Sequence, residues 1–241
     1  MQELKTKLKR INDILEREFG IPEREGNEDP LDSLIHTILS QNTNDTNSGK
    51  AYNNLTTNFR TWEDVLLVDT DEIAKAIRVG GLARQKSVTI KEVLRWVKNT
   101  YGKLNLDFIC DMDTSEAIKL LTNLKGVGLK TANVMLCFAC GKEVFPVDTH
   151  IFRTSKRLAL VPSNASPDKA HEIMGQLFPE GKAYPLHVNM ITFGRKICHA
   201  QKPRCRECPL IDYCVVWRDF IDGKAEKFLG YNTPYPKNFY S

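Results

Sequence analysis

The chain has 241 residues, of which 41% are hydrophobic and 27% charged, with a formal net charge of +4. That composition belongs to a folded globular protein with one large domain or two small ones, and it excludes a low-complexity or disordered chain. No run approaches the roughly 20 apolar residues of a membrane span, and the mild positive charge permits nucleic-acid binding without requiring it.

Helical spacing of apolar residues runs through nearly the whole sequence. Leu4, Leu8, Ile11, Ile14 and Leu15 predict an amphipathic helix over about 2–18. The charged start, Met1 to Arg10, lacks the apolar core of a secretion signal, so a reducing cytosol is the expected compartment. Asp29-Pro30 reads as a helix start, with Asp as cap and Pro at the first position. Leu31, Leu34, Ile35, Ile38 and Leu39 then lay down an apolar stripe. A polar run follows from Gln41 to Ser48, and Ala51, Tyr52 and Leu55 resume a helix. Thr61–Leu67 and Thr70–Ile77 predict two short helices, and Gly80-Gly81 breaks the chain before another over Ala83–Val97. Thr114–Leu124 and about Leu129–Cys140 form a pair around Gly126-Val127-Gly128. Phe145-Pro146-Val147 is extended but too short for a sheet; helices follow from Asp148, Pro167 and Pro185. From about Val216 the aromatics, Pro234 and Pro236 read as an extended tail, and the charge run Asp219–Lys227 as a solvated face.

Four places carry chemistry. The first is the hairpin Leu124-Lys125-Gly126-Val127-Gly128-Leu129-Lys130. Two glycines around a small apolar residue permit a tight turn with positive φ and bare backbone N–H groups, next to the positive end of a helix. That is a phosphate cradle that reads no base sequence; a plain helix-helix turn is the alternative. The second is Lys130 in the first helical turn, where the helix dipole disfavours a cation by roughly 0.3–1 kcal/mol. The same field favours the neutral amine, a nucleophile suited to Schiff-base formation; a lysine that only contacts phosphate is the other reading. The third is Asp148, either a helix cap or a carboxylate that stabilises charge at a reacting sugar.

The fourth is the cysteine set Cys198, Cys205, Cys208 and Cys214, spaced C-x6-C-x2-C-x5-C. Soft thiolates this close in sequence predict a zinc or iron–sulfur centre, and in a reducing compartment metal ligation is favoured over a pair of disulfides. Arg195, Lys196, Lys202, Arg204 and Arg206 make the loop basic, which suits a phosphate backbone. Cys137 and Cys140 lie among Val134, Met135 and Leu136, and are expected in the core together with Cys110. His36, His171, His187 and His199 show no partner spacing.

The hairpin, the segment Val147-Asp148-Thr149-His150-Ile151-Phe152-Arg153 and the four cysteines, in that order, resemble the endonuclease III family of helix-hairpin-helix DNA glycosylases. The resemblance implies an all-α fold in two helical lobes with a cleft. It implies a six-helix barrel over 29–141, an iron–sulfur lobe from 1–28 and 142–215, and a tail at 216–241. It implies a [4Fe–4S] cluster on the cysteines, with zinc as the runner-up from spacing alone. Gly126, Val127, Gly128, Lys202 and Arg204 then grip duplex DNA carrying a damaged base or abasic site, the base being turned out for reaction. Lys130 matches the family's nucleophile and Asp148, 18 positions on, its assisting carboxylate. Leu82 matches an apolar wedge; packing at a helix start is the alternative. The family commonly has Ser-Ala-Gln-Ala-Thr where this chain reads Ser40-Gln41-Asn42-Thr43-Asn44. Either Asn42 or Gln41 therefore fills the gap left by the base. The implied activity is a bifunctional glycosylase and AP lyase of base excision repair, acting on oxidised pyrimidines as a monomer in the cytoplasm, at the nucleoid. A glycosylase for another lesion, such as mismatched thymine, and a non-catalytic DNA clamp are the alternatives.

Overall fold

The computed structural model describes residues 1–24, 26 and 28–222, and all regular structure among them is helical. The chain divides into two compact units, one formed by Met1–Glu23 and the chain from Phe145 on, the other by Arg24–Val144. No helix among the described residues is long and apolar enough to cross a membrane.

The first unit opens with α1 (Gln2–Phe19), whose Leu8, Ile11 and Leu15 are fully buried. The Arg24–Val144 unit holds α2 (Pro30–Ser40), α3 (Asp45–Asn58), α4 (Trp62–Leu67), α5 (Thr70–Ala76), α6 (Ala83–Tyr101), α7 (Phe108–Asp111), α8 (Thr114–Thr122) and α9 (Leu129–Phe138). Asp29 caps α2 by accepting from the N–H groups of Leu31 and Asp32, with Pro30 opening the helix. Leu31, Leu34, Ile35, Ile38 and Leu39 are all fully buried, because α2 packs against α3, α6 and α9. A helix enclosed on most sides needs apolar residues around most of its circumference. Asn44 accepts from Asn47 N–H and starts α3 inside the run Gln41–Ser48, so the polar stretch is helical from Asp45 onward rather than a loop. A cap outweighs weak propensity here.

The C-terminal end of α9 is pinned twice. Arg24 Nη1 donates to the carbonyls of Phe138 and Ala139, and Cys140 is disulfide-bonded to Cys110 of α7. This corrects the expectation that Cys110 and Cys140 are packed as free thiols. Thirty residues separate them in sequence, and only the return of α9 past α7 brings them together. Cys137 is free and buried as expected, and burial pushes its thiol up to about 12.

The Met1–Glu23 unit continues with α10 (Thr149–Arg157), α11 (Pro167–Leu177), α12 (Ala183–Lys196) and α13 (Val215–Ile221). Its core joins Leu8, Ile11 and Leu15 to Phe145, Ile151, Met174, Leu186, Met190 and Phe193. The helix α13 corrects the extended reading of the chain after Val216: Cys214 caps it and Trp217 is buried against the unit. The rest of the predicted tail, 223–241, lies outside the described residues.

Candidate functional site

The hairpin closes on itself before it reaches α9. Leu124 N–H donates to Leu121 and Val127 N–H to Leu124, and Val127 is buried at 3% exposure. Gly126 has φ +86°, and a Cβ there would stand 2.6 Å from Thr89 Oγ1. Both conformation and space therefore require glycine at 126. Gly128 differs from expectation: its φ is −87°, ordinary extended backbone, and nothing lies within 4 Å of where its Cβ would be. Its missing side chain leaves the surface at the α9 N-terminus open, and no side chain caps that end. Exposed helix-end amides beside a bare Cα form a seat for an anion.

Lys130 lies in the first turn of α9, half-buried, and the next residue, Thr131, is buried. Gln41 reaches this hairpin, its Nε2 donating to Gly126 O at 3.1 Å and to Thr131 Oγ1 at 3.2 Å. Asn42 is exposed and left-handed, with φ 51°. So the two candidates differ: Gln41 is engaged with the hairpin, and Asn42 presents an exposed side chain on a tight turn.

Leu82 is 50% exposed and left-handed, with φ 50°. It follows Gly81 at φ 69° and serves as the cap of α6. Packing at a helix start does not describe it. An exposed leucine on a disfavoured backbone is unusual enough to suggest use. Sequence reading missed the residue below it. Lys86 is 2% exposed and its ammonium donates to Leu39 O at 2.7 Å and Gly80 O at 2.8 Å.

In the unit that begins at Met1, Asp148 caps α10, its Oδ1 accepting from Ile151 N–H at 2.7 Å. The extended segment before it is held by two histidines. His171 Nε2 accepts from Val147 N–H, and its Nδ1 lies 3.0 Å from Pro167 O. That pairing fits a neutral ring with its proton on Nδ1. His187 Nδ1 lies 3.0 Å from Pro146 O. Neither histidine has a sequence signal, because each partner is a backbone group brought near by folding. His150 lies 3.2 Å from Arg153 Nη2, and burial lowers its pKa, partly offset by Asp148.

Cys198, Cys205, Cys208 and Cys214 line one small pocket, together with Arg157, Phe193 and Ile197 among others. No three His, Cys, Asp or Glu side chains among the described residues converge closely enough to hold a single ion. Arg157, 7% exposed, donates to Cys198 Sγ at 3.2 Å. Trp217 N–H donates to Cys214 Sγ at 3.4 Å. Burial and the neighbouring sulfurs push Cys205 and Cys208 up to about 12 and raise Cys214. Thiols in such a setting stay protonated unless a metal-containing group takes the protons' place. The outer rim is basic. Lys202 is exposed with φ 48°, and Arg204 is exposed with Glu207 3.8 Å away.

Residues 35–180 match the profile of the HhH-GPD superfamily of base excision DNA repair proteins. An endonuclease III of Thermotoga maritima is 35% identical over 190 residues, covering 79% of this chain and 84% of its own length. The solved structure of a non-covalent endonuclease III–DNA complex is similar at TM-score 0.77 and 29% identity, over 90% of this chain and 98% of the other. A thermostable thymine-DNA glycosylase is similar at TM-score 0.75 and 26% identity, over 89% and 98%.

Proposed function

The chain belongs to the endonuclease III family of the HhH-GPD superfamily, DNA glycosylases of base excision repair with AP lyase activity, and we propose that Lys130 is its nucleophile and oxidised pyrimidines its substrates. The observation that carries the assignment of Lys130 is its place in the first turn of α9, two residues beyond Gly128, where no side chain caps the helix. The hairpin amides hold a phosphate of the strand while the nearby amine attacks C1′ of the damaged nucleotide. The C1′–N bond breaks, its electron pair leaves with the base, and the base takes up a proton. The amine gives up a proton, the C1′–O4′ bond breaks with its electron pair and a proton going to the ring oxygen, and the opened sugar is left joined to Nζ through a Schiff base at C1′. Removal of a proton from C2′ then expels the 3′ phosphate by β-elimination. Asp148 is assigned the assisting role at the first step: a carboxylate that offsets positive charge on the sugar or accepts the amine proton. Leu82 enters the stack beside the extruded base, and Asn42 rather than the hairpin-bound Gln41 fills the space that the base vacates. The enzyme acts as a monomer on damaged duplex DNA in the cytoplasm.

The four cysteines are the residues that would hold a [4Fe–4S] cluster. All four line one pocket, as a group bound by the whole set requires, and the endonuclease III family favours iron–sulfur over zinc, the runner-up from spacing. The Arg157 and Trp217 donors suit anionic sulfur. Such a group supplies a rigid crosslink for the basic loop of Lys202 and Arg204. Purified protein should be brown and contain about four iron atoms per chain; a colourless protein with one zinc overturns this part.

The test is borohydride trapping across a panel of duplexes carrying thymine glycol, a G·T mismatch or an abasic site. Wild type should form a covalent adduct with the first and third. Lys130→Ala should lose it while retaining DNA binding within a few fold. An undiminished adduct in Lys130→Ala would remove the role given to Lys130. The mismatch arm is included because a thymine-DNA glycosylase shares the fold over most of the chain, and preferential cleavage there would change the substrate assignment.

A further inference from the structure

Two exposed turns of the Arg24–Val144 unit have unusual backbone. One passes through Gln41 and Asn42 at the end of α2, the other through Gly81 and Leu82 before α6. Asn42, Gly81 and Leu82 all have positive φ, at 51°, 69° and 50°. Single left-handed residues on a surface relax readily unless the chain on either side is fixed. Here both turns are fixed by the same group. The carbonyl of Leu39, two residues before Gln41, and that of Gly80, two before Leu82, both accept from Lys86 Nζ. Gly80 also packs closely on α3 and the end of α2, since a Cβ there would lie 3.0 Å from Ala51 Cβ and 3.8 Å from Leu39 O.

A lysine is an expensive way to satisfy two carbonyls. Lys86 is 2% exposed, and among the described residues no acidic side chain pairs with it. Burial lowers its pKa with nothing to offset the effect. Other helix-end carbonyls are met by backbone N–H groups or by a side chain serving one helix end, as Arg24 does for α9 and Lys91 for α4. What the ammonium adds is reach: one group with several donors holds the ends of two chain segments that are 41 residues apart, Leu39 and Gly80.

We propose that Lys86 is a positioning residue for base extrusion, fixing the Leu82 turn and the Gln41–Asn42 turn at one separation so that both meet the same base step. It touches neither DNA nor the reacting atoms. This rests on the glycosylase reading above.

The experiment compares two reactions of one preparation. Excision of thymine glycol from a duplex needs extrusion; cleavage of an abasic site in a single strand does not. In Lys86→Met, single-turnover duplex excision should fall on the order of tenfold to a hundredfold, while single-strand cleavage falls no more than about twofold. Leu82→Ala should lower duplex excision too, and adding Lys86→Met to it should cost no more than roughly a further twofold, because the wedge that Lys86 aims is already gone. Lys86→Gln, with a donor for one carbonyl only, should fall between wild type and Lys86→Met. No loss in Lys86→Met, an equal loss in both reactions, or multiplying losses in the double variant overturns the proposal. So does failure of both Lys86 variants to fold, which assigns the residue to core stability alone. If wild type itself traps no adduct, the glycosylase reading fails as well; if wild type is active and the variant loses both reactions in step, only the role of Lys86 fails.

Discussion

Gln41 and Asn42 are adjacent amides with different duties. Gln41 spends its Nε2 on Gly126 O and Thr131 Oγ1, so Gln41→Ala should loosen the hairpin by about 0.5–1.5 kcal/mol. Asn42 is exposed but left-handed at φ 51°, a backbone that Asn tolerates better than Ala, so Asn42→Ala should cost about 1 kcal/mol, slow duplex excision and leave the hairpin contacts intact. Thermal melts with single-turnover kinetics on both variants check the pair; a stable Gln41→Ala would refute the anchoring. Asp32 offers a prediction in pH. Burial raises its carboxyl above the usual carboxylate range, against the bond it accepts from Trp62 Nε1. Between the ordinary value and the raised one, the folded chain binds a proton that the unfolded chain has lost. Stability from this group is therefore present at low pH and declines as pH rises through its folded pKa. Asp32→Asn keeps an acceptor for Trp62 and should flatten the melting temperature in the pH range just above the ordinary carboxylate value; an unchanged slope would count against it. Legibility at this scale was uneven. Lys130 and Asp148 stood out by motif. Lys86 carried a signal that went unread: it lies four residues before Ile90, on the face of α6 that buries Ile90, Val93 and Val97. A lysine in register with an apolar stripe has to find buried acceptors.

Among the elements, the hairpin separates two uses of glycine that look alike in sequence. Gly126→Ala meets both a left-handed φ and Thr89 at 2.6 Å, and should destabilise by about 1–3 kcal/mol. Gly128→Ala meets neither; it should change stability by less than about 1 kcal/mol and weaken duplex binding by placing a methyl at the phosphate seat. Urea titration and a binding isotherm separate the two, and equal effects on stability would refute the distinction. Helix positions were legible because apolar spacing and caps are local. Asp29-Pro30 gave α2, and Thr61 with Asp64 forms a capping box at α4. The start of α3 and the whole of α13 were not legible. Their capping atoms, Asn44 Oδ1 and Cys214 Sγ, belong to residues that read equally well as loop and as metal ligand.

For the molecule as a whole, order of motifs sufficed for the family, and helix periodicity for the all-α class. Distant pairings were beyond reach. The histidines under Pro146 and Val147 depend on tertiary return of the chain, as does the Cys110–Cys140 bond. By loop-closure entropy a bridge across 30 residues contributes about 3–4 kcal/mol. Wild type should therefore melt several degrees lower in reductant, and a Cys110→Ala, Cys140→Ala double variant should melt at that lower temperature with or without reductant. Equal wild-type melts in both conditions would show the bridge to be energetically idle.

The same bridge also determines what a protease leaves behind. Everything from α8 through the hairpin to the end of α9 lies on a ring whose clasp is Cys110–Cys140. A single cut between positions 111 and 139 opens that ring without parting the chain. Trypsin nicking at Lys125 would yield one full-mass band on a non-reducing gel and two fragments once thiol is added.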